Sequence, residues 1–348
     1  MKPSYFAIAL SGVLAACSSA TTTNTVPMVG APDVARSGIR SIPVSVTAYP
    51  IPASGQFPSI VVGHDGALWF SSLGSNNVFR IEPPSASNRN PHVTQYDAGG
   101  STGGMASGPD GNIWFSGIYP ERIGRIQASA VTYYPATVAS TWSVALGPEK
   151  SALWLPSTFN GSNTIGRFAL PTGTRAPKFT TIAIPTIHSD PWGIVAGPDD
   201  AMWFTESSEN RIGRIAPDGT ITEFKLRKGP GPTAITVGPD KALWFTKHAW
   251  IGRISLTGKV SYFSIPPGVD LRAPYAITSG PDKALWWTSC HENGAIGRIT
   301  TNGRVSIVAF NEGPHACPNG IVTGPDGALW VTMDHGAKSG YVFRLKIK

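Results

Sequence analysis

Charge is scarce in this chain. Asp, Glu, Lys and Arg together make up 14% of its 348 residues. The formal charge is +7, yet no run of Lys or Arg gathers it in one place. That excludes a nucleic-acid groove and leaves solubility, or attraction to an anionic surface, as the use of the basic excess. Histidine is also sparse, 7 in all. No two histidines have the close spacing of a zinc site, so the sequence assigns no metal. Cysteines number only three. The N-terminal apolar run is too short to cross a bilayer as a stable helix.

Aromatic residues, by contrast, are plentiful at 10%, with 39 Gly and 31 Pro spread evenly along the chain. Strands favour aromatic residues, and tight turns need Gly and Pro, so the composition points to an all-β protein with many turns.

The N-terminus lies outside the fold. Residues 1–17, MKPSYFAIALSGVLAAC, combine one Lys, an apolar stretch and a small-residue end, as a secretory signal does. The closing Leu14-Ala15-Ala16-Cys17 resembles a bacterial lipobox, which implies cleavage before Cys17 and lipid on its sulfur. A plain signal peptide with an incidental Cys is the alternative. Residues 18–43 are polar, lack an apolar period, and read as a flexible tether. Ser18 is compatible with sorting to the outer membrane, periplasmic side, so the membrane is an expected partner through the anchor.

Seven near-copies of one phrase fill the rest: GHDGALWF (63–70), GPDGNIWF (108–115), GPEKSALWL (147–155), GPDDAMWF (197–204), GPDKALWF (238–245), GPDKALWW (280–287) and GPDGALWV (324–331). Their tryptophans recur after 45, 40, 49, 41, 42 and 44 residues. Each copy follows a short apolar run and precedes IGRI or a variant, then a turn, then an alternating run such as VSYFSIP (260–266). Four short strands per repeat of about 40–45 residues define a β-propeller blade. The expected fold over 44–348 is therefore a seven-bladed β-propeller with four antiparallel strands per blade. The last repeat ends at RLKIK (344–348) with no outer strand. The orphan VSVTAYPIP (44–52) matches VSYFSIP, so it is expected to complete blade 7 and remove an open sheet edge. Every repeat also carries an acid (Asp65, Asp110, Glu149, Asp199, Asp240, Asp282, Asp326) and an Arg on the same face, expected to pair as structural ties worth at most about 1 kcal/mol each.

Units such as AMWFTESSENRIGRIAPDGTITEFKL (201–226) and PYAITSGPDKALWWTSCHENGAIGRIT (274–300) resemble the blades of the virginiamycin B lyase (streptogramin B lyase) family over all seven repeats. That resemblance implies the same fold and a Mg²⁺-dependent elimination that opens a lactone. It also implies a substrate-contacting His where this chain has Tyr275, a metal-holding Glu at Cys317, a His base at Asn319, and a metal-holding acid at Asp334. Only the last is kept. An Asn amide cannot take a proton, and sulfur is a poor Mg²⁺ ligand. His315 stands four residues before Asn319 as a substitute base.

The loops leading into the inner strands and those following each WFT share one face. His188, His248, His291, His315 and His335 fall there, with Asp190, Glu206, Glu292 and Asp334. The residues at the mouth of the inner strands are Pro58, Gly103, Trp142, Trp192, Thr233, Tyr275 and Asn319. Three aromatic faces around an opening suit a flat or sugar-like ligand. The expected ligand-binding set is Trp142, Trp192, Thr233, Tyr275, His291, His315, Asn319 and Asp334. With Cys17 assigned to lipid, Cys290 and Cys317 remain on neighbouring blades, facing the same side. In an oxidising compartment they are expected to pair, the alternative being two separate thiols, one of them reactive. The sequence thus reads as a monomeric, lipid-anchored propeller that binds a small molecule or a protein at its mouth without catalysis. The alternative is an active Mg²⁺-dependent C–O lyase or related lactone-opening enzyme.

Overall fold

The computed structural model describes residues 40–136, 141–158, 163–173, 176–265, 274–290, 294–309, 317–335 and 338–348. Its strands form seven sheets arranged as the blades of a propeller, and all described regular structure is β. Blade 1 runs from Ile60 and blade 4, a typical one, is built from Pro191–Ala196, Met202–Glu206, Arg211–Ile215 and Ile221–Lys225 in that order from the axis outward. The second strand, MWFTE, is buried at every position because neighbouring blades cover both its faces. It therefore reads as a continuous apolar run rather than an alternating one. The outer strand, ITEFK, is covered less and alternates.

The core is not one mass but seven slabs, each made by two adjacent blades. Trp203 of blade 4, for example, packs with Leu243 and Phe245 of blade 5, while Phe204 packs with Trp154 of blade 3. Burying one such side chain contributes about 1.5–3 kcal/mol. The IGR glycines follow from this packing. A Cβ on Gly213 would come within 2.0 Å of the Phe204 ring, which lies directly across the strand pair.

Ring closure is by the N-terminal strand. Val44–Pro50 pairs antiparallel with the last strand, from Val44↔Ile347 to Pro50↔Tyr341, and becomes the outer strand of blade 7. A further pair of residues, Arg40–Ser41, lies just before it and runs parallel to the outer strand of blade 6, opposite Ser306 and Ile307. Blade 6 is thus five-stranded.

The acid and Arg of each repeat do pair, at 2.6–3.2 Å in all seven blades. The repeat Trp is a third member. Its indole N–H donates to the same carboxylate, as Trp330 does to Asp326 at 3.1 Å. Burial alone would raise the Asp326 carboxyl, but the bonds from Arg344 and Trp330 outweigh it and hold it below the usual carboxylate range. The residue closing the turn is left-handed throughout. It is Gly66, Gly111 and Gly327 in three blades, and Lys150, Asp200, Lys241 and Lys283 in four, with φ between 53° and 77°.

In five blades the outer strand supplies an aromatic ring that stacks on the repeat Trp, at centroid distances of 4.9–5.7 Å. The rings belong to Tyr49, Tyr96, Tyr134, Phe224 and Phe263. Each sits opposite the Ile or Val that begins the IGR phrase. The same position holds Ile182 in blade 3 and Val308 in blade 6.

Candidate functional site at the propeller mouth

The axis opens, on the face of the WFT strand ends, into a cavity of ≈180 Å³. Its wall is made by the first residues of the inner strands, because these strands converge on the axis and their ends point around it. Trp142, Trp192 and Tyr275 all line it, together with Pro58, Ser59 and Gly320. Trp142 and Trp192 are stacked on one another, 5.5 Å between centroids and 8° between planes. Two indoles from adjacent blades thus form one double plate. No charged side chain lines the cavity among the described residues. Burial pushes the Tyr275 phenol up to about 12, so it stays a neutral hydroxyl.

The other expected ligand residues are placed differently. The Thr233 hydroxyl is within 2.7 Å of the Thr246 hydroxyl, and its carbonyl accepts from Thr205 at 2.7 Å. Asn319 is buried, 2% exposed, and donates through Nδ2 to the Cys317 carbonyl at 3.0 Å. Both side chains bond within their own blade, and neither lines the cavity. Asp334 lies directly across the strand pair from Cys317. His291 and His315 lie outside the described residues, as does Cys17.

Cys290 and Cys317 are joined by a disulfide, with Cα atoms 4.5 Å apart. It links the end of the second strand of blade 6 to the first residue of blade 7. Among the described residues, the donors offered to a cation at this place are a disulfide sulfur, an Asn amide whose Nδ2 is engaged with the Cys317 carbonyl, and one carboxylate. Among the described residues no three His, Cys, Asp or Glu side chains form a metal-holding group. This set does not fit Mg²⁺, which wants several carboxylate or water oxygens in octahedral order.

Behind the wall runs a partial ring of hydroxyls, from the second residue after the repeat Trp in four blades. Blade 3 has Pro156 there, and Ser71 and Thr246 bond within blades 1 and 5. Ser116 donates to the Thr141 carbonyl at 2.8 Å, Thr205 to Thr233 at 2.7 Å, and Thr288 to Asn319 at 2.7 Å. Thr332 donates to Phe57 at 2.6 Å. Each of these four bonds fastens one blade to the start of the next. The regular WFT and WWT phrases carried this signal, but only the register shows that the hydroxyl crosses a blade boundary.

One residue beyond this ring sits Glu206. It is fully buried, and neither carboxyl oxygen has a hydrogen-bond partner among the described residues. Burial, reinforced by the nearby Glu223 and Glu209 and opposed by Arg211, pushes its pKa up to about 8. The equivalent residue of blade 5, Lys247, is also buried, and it donates to the Asn210 side chain and the Pro230 carbonyl.

Comparison with known proteins places this architecture. The model of the virginiamycin B lyase family matches three overlapping stretches, residues 33–171, 96–271 and 178–344. The chain belongs to the virginiamycin B lyase family. A streptogramin B lyase structure superposes with a TM-score of 0.75 at 26% identity, over 88% of this chain and 98% of that one. A catalytically inactive variant of virginiamycin B lyase from Staphylococcus aureus, with quinupristin, gives 0.75 at 29% identity over 88% and 100%. Virginiamycin B lyase of Bordetella bronchiseptica is 42% identical over 40 residues, a stretch that is 12% of this chain and 13% of that relative. Family membership therefore rests on the whole repeat architecture, and the strong sequence identity on about one blade.

Proposed function

We propose that this chain is a lipid-anchored binding propeller of the virginiamycin B lyase family, whose mouth receives an uncharged, ring-bearing ligand and does not open lactones. The observation that carries this reading is the chemistry of the mouth. The cavity is flanked by the Trp142–Trp192 plate, and it has no charged side chain among the described residues. An elimination needs a group that takes a proton and another that stabilises the charge left behind. Tyr275 holds its proton, Asn319 cannot accept one, and the Cys317 sulfur is in a disulfide. Flat apolar faces are what a sugar or aromatic ring stacks on. A cavity of ≈180 Å³ has room for one such ring of a larger ligand lying across the mouth. The alternative occupant, a protein loop, would present the same ring on a side chain.

The test is direct. The purified chain is incubated with a streptogramin B and Mg²⁺, and the mass of the antibiotic is followed. An unchanged mass is expected, and ring opening at any rate above the protein-free control overturns the non-catalytic reading. Native mass spectrometry of the freshly purified protein then shows the ligand carried from the cell. The anchor is tested apart from the mouth. Wild type is expected to take up labelled palmitate and the Cys17→Ala variant to lose both label and membrane association.

A further inference from the structure

The repeat breaks at blade 3 in three ways at once. Its turn is one residue longer, GPEKSALW, and its acid is Glu149 rather than Asp. Its outer strand offers Ile182 where five other blades offer a ring. The consequence is a groove of ≈510 Å³ in the seam between blades 3 and 4, on the face opposite the mouth. Trp154 forms its wall and is 8% exposed; Trp69, which does have a ring from Tyr96, is at 6%, and the other five repeat tryptophans are at 0%. The floor is Ile182, Met202 and Ile215.

Blade 6 has the same vacancy at Val308, and there the chain fills it. Ile42, next to the added strand Arg40–Ser41, donates its N–H to the Ile307 carbonyl at 3.2 Å and packs on the cluster of Trp286 and Val308. Nothing among the described residues does this for blade 3. The shape of the groove also excludes a strand added in the manner of Arg40–Ser41. Of the outer strand Lys178–Ala183 only Ile182 lines it, and the opening lies between the turns at Pro148–Glu149 and Ala216–Gly219.

Charge selects further. Glu149, Asp200 and Asp218 line the groove against a single cation, Arg167, which is paired with Glu149 at 3.1 Å. Asp200 and Asp218 stand at the exposed rim. In a chain of net charge +7 this is a local excess of negative charge. From the vacated ring position and the acidic rim, we infer that the blade 3–4 groove is a second ligand site, specific for a small aromatic amine. The ring takes the place that Phe224 or Phe263 holds in its own blade, stacked on Trp154, and the ammonium faces Asp200 and Asp218. The volume falls in the range of small-molecule sites. Stacking on an indole and a paired ammonium are the two sources of affinity.

The probe is tyramine, with p-cresol as the same ring without the cation, measured by calorimetry on the folded full chain. Tyramine is expected to bind, and p-cresol to bind several-fold more weakly, with the difference shrinking at high salt. Ile182→Tyr restores the missing ring in the chain itself. It is expected to raise Tm and weaken tyramine by about tenfold or more, and Ile182→Phe to do the same. The Asp200→Asn/Asp218→Asn variant should bring tyramine down to the level of p-cresol, and Trp142→Ala should leave binding unchanged. Tyramine binding that survives both Ile182 variants, disappears with Trp142→Ala, or is absent in wild type overturns the inference. The mouth reading stands or falls separately, since none of its residues line this groove.

Discussion

The Thr332 hydroxyl donates to the Phe57 carbonyl at 2.6 Å, fastening blade 7 to the start of blade 1 across 275 residues of sequence. The same oxygen accepts the Gly320 N–H at 3.0 Å. Thr332 is fully buried, so water cannot replace either partner. Thr332→Val keeps the shape and removes both bonds, leaving a carbonyl and an N–H unpaired in the closing seam. The expected loss is about 1–3 kcal/mol in urea unfolding. A midpoint unchanged from wild type would show that this bond does not tighten the closure.

Glu206 makes stability depend on pH. Its folded pKa, about 8, lies above the unfolded value of 4.5. The folded state therefore binds the proton more tightly, and stability is full below pH 4.5 and falls as pH rises to about 8. Burial is the main cause, Glu223 and Glu209 add to it, and Arg211 opposes it. Glu206→Gln removes the titrating group and keeps the shape. It is expected to lie close to wild type near pH 5 and to be more stable near pH 8, by at most about 3–4 kcal/mol. Parallel Tm-against-pH curves for the two proteins would contradict this.

The repeat made the architecture legible. Seven GPDG-W phrases fix blade number, and RLKIK without a following strand exposes the need for Val44–Pro50 as the closing strand. The acid–Arg pairs were readable because both residues recur on one face. The indole as their third partner was not, since a Trp conserved through the repeats is equally explained by packing. The positions of Trp142, Trp192 and Tyr275 at the mouth follow from strand order alone. Their division of labour from Thr233 and Asn319 does not. The same bulge follows the Pro before Trp192, Tyr275 and Asn319, so strand order and register are alike at the three. Only the side chain differs, a ring that reaches the cavity against a short amide that folds back on the Cys317 carbonyl. The blade 3 groove hides in the sequence as one Ile among outer-strand residues, and emerges only when register aligns Ile182 with Phe224.

The Trp142–Trp192 plate has a signature that needs no ligand. Two indoles at 5.5 Å and nearly parallel couple their electronic transitions. The chain is expected to show an exciton couplet in its circular dichroism that either Trp142→Ala or Trp192→Ala removes entirely. If each variant removed only half, the rings would be acting as independent chromophores. For a ligand held between or upon them, truncation of either should weaken binding by roughly 1–3 kcal/mol, and the two effects should fall short of additivity because the rings touch.

The disulfide between Cys290 and Cys317 encloses a span of 27 positions and ties blade 6 to blade 7. Constraining the unfolded chain over a loop of this length is worth about 3–4 kcal/mol in the entropy model, an upper figure. Cys290→Ser/Cys317→Ser is expected to lose most of that in chemical denaturation, and reducing agent should lower the wild type to the same level without affecting the double variant. Reduction frees the Cys317 sulfur beside Asp334, yet the Asn319 amide still cannot take a proton and its Nδ2 remains on the Cys317 carbonyl. Reduced protein is therefore expected to be as inert toward a streptogramin B with Mg²⁺ as the oxidised form. Activity appearing on reduction would mean that the staple, rather than the missing base, is what silences the mouth.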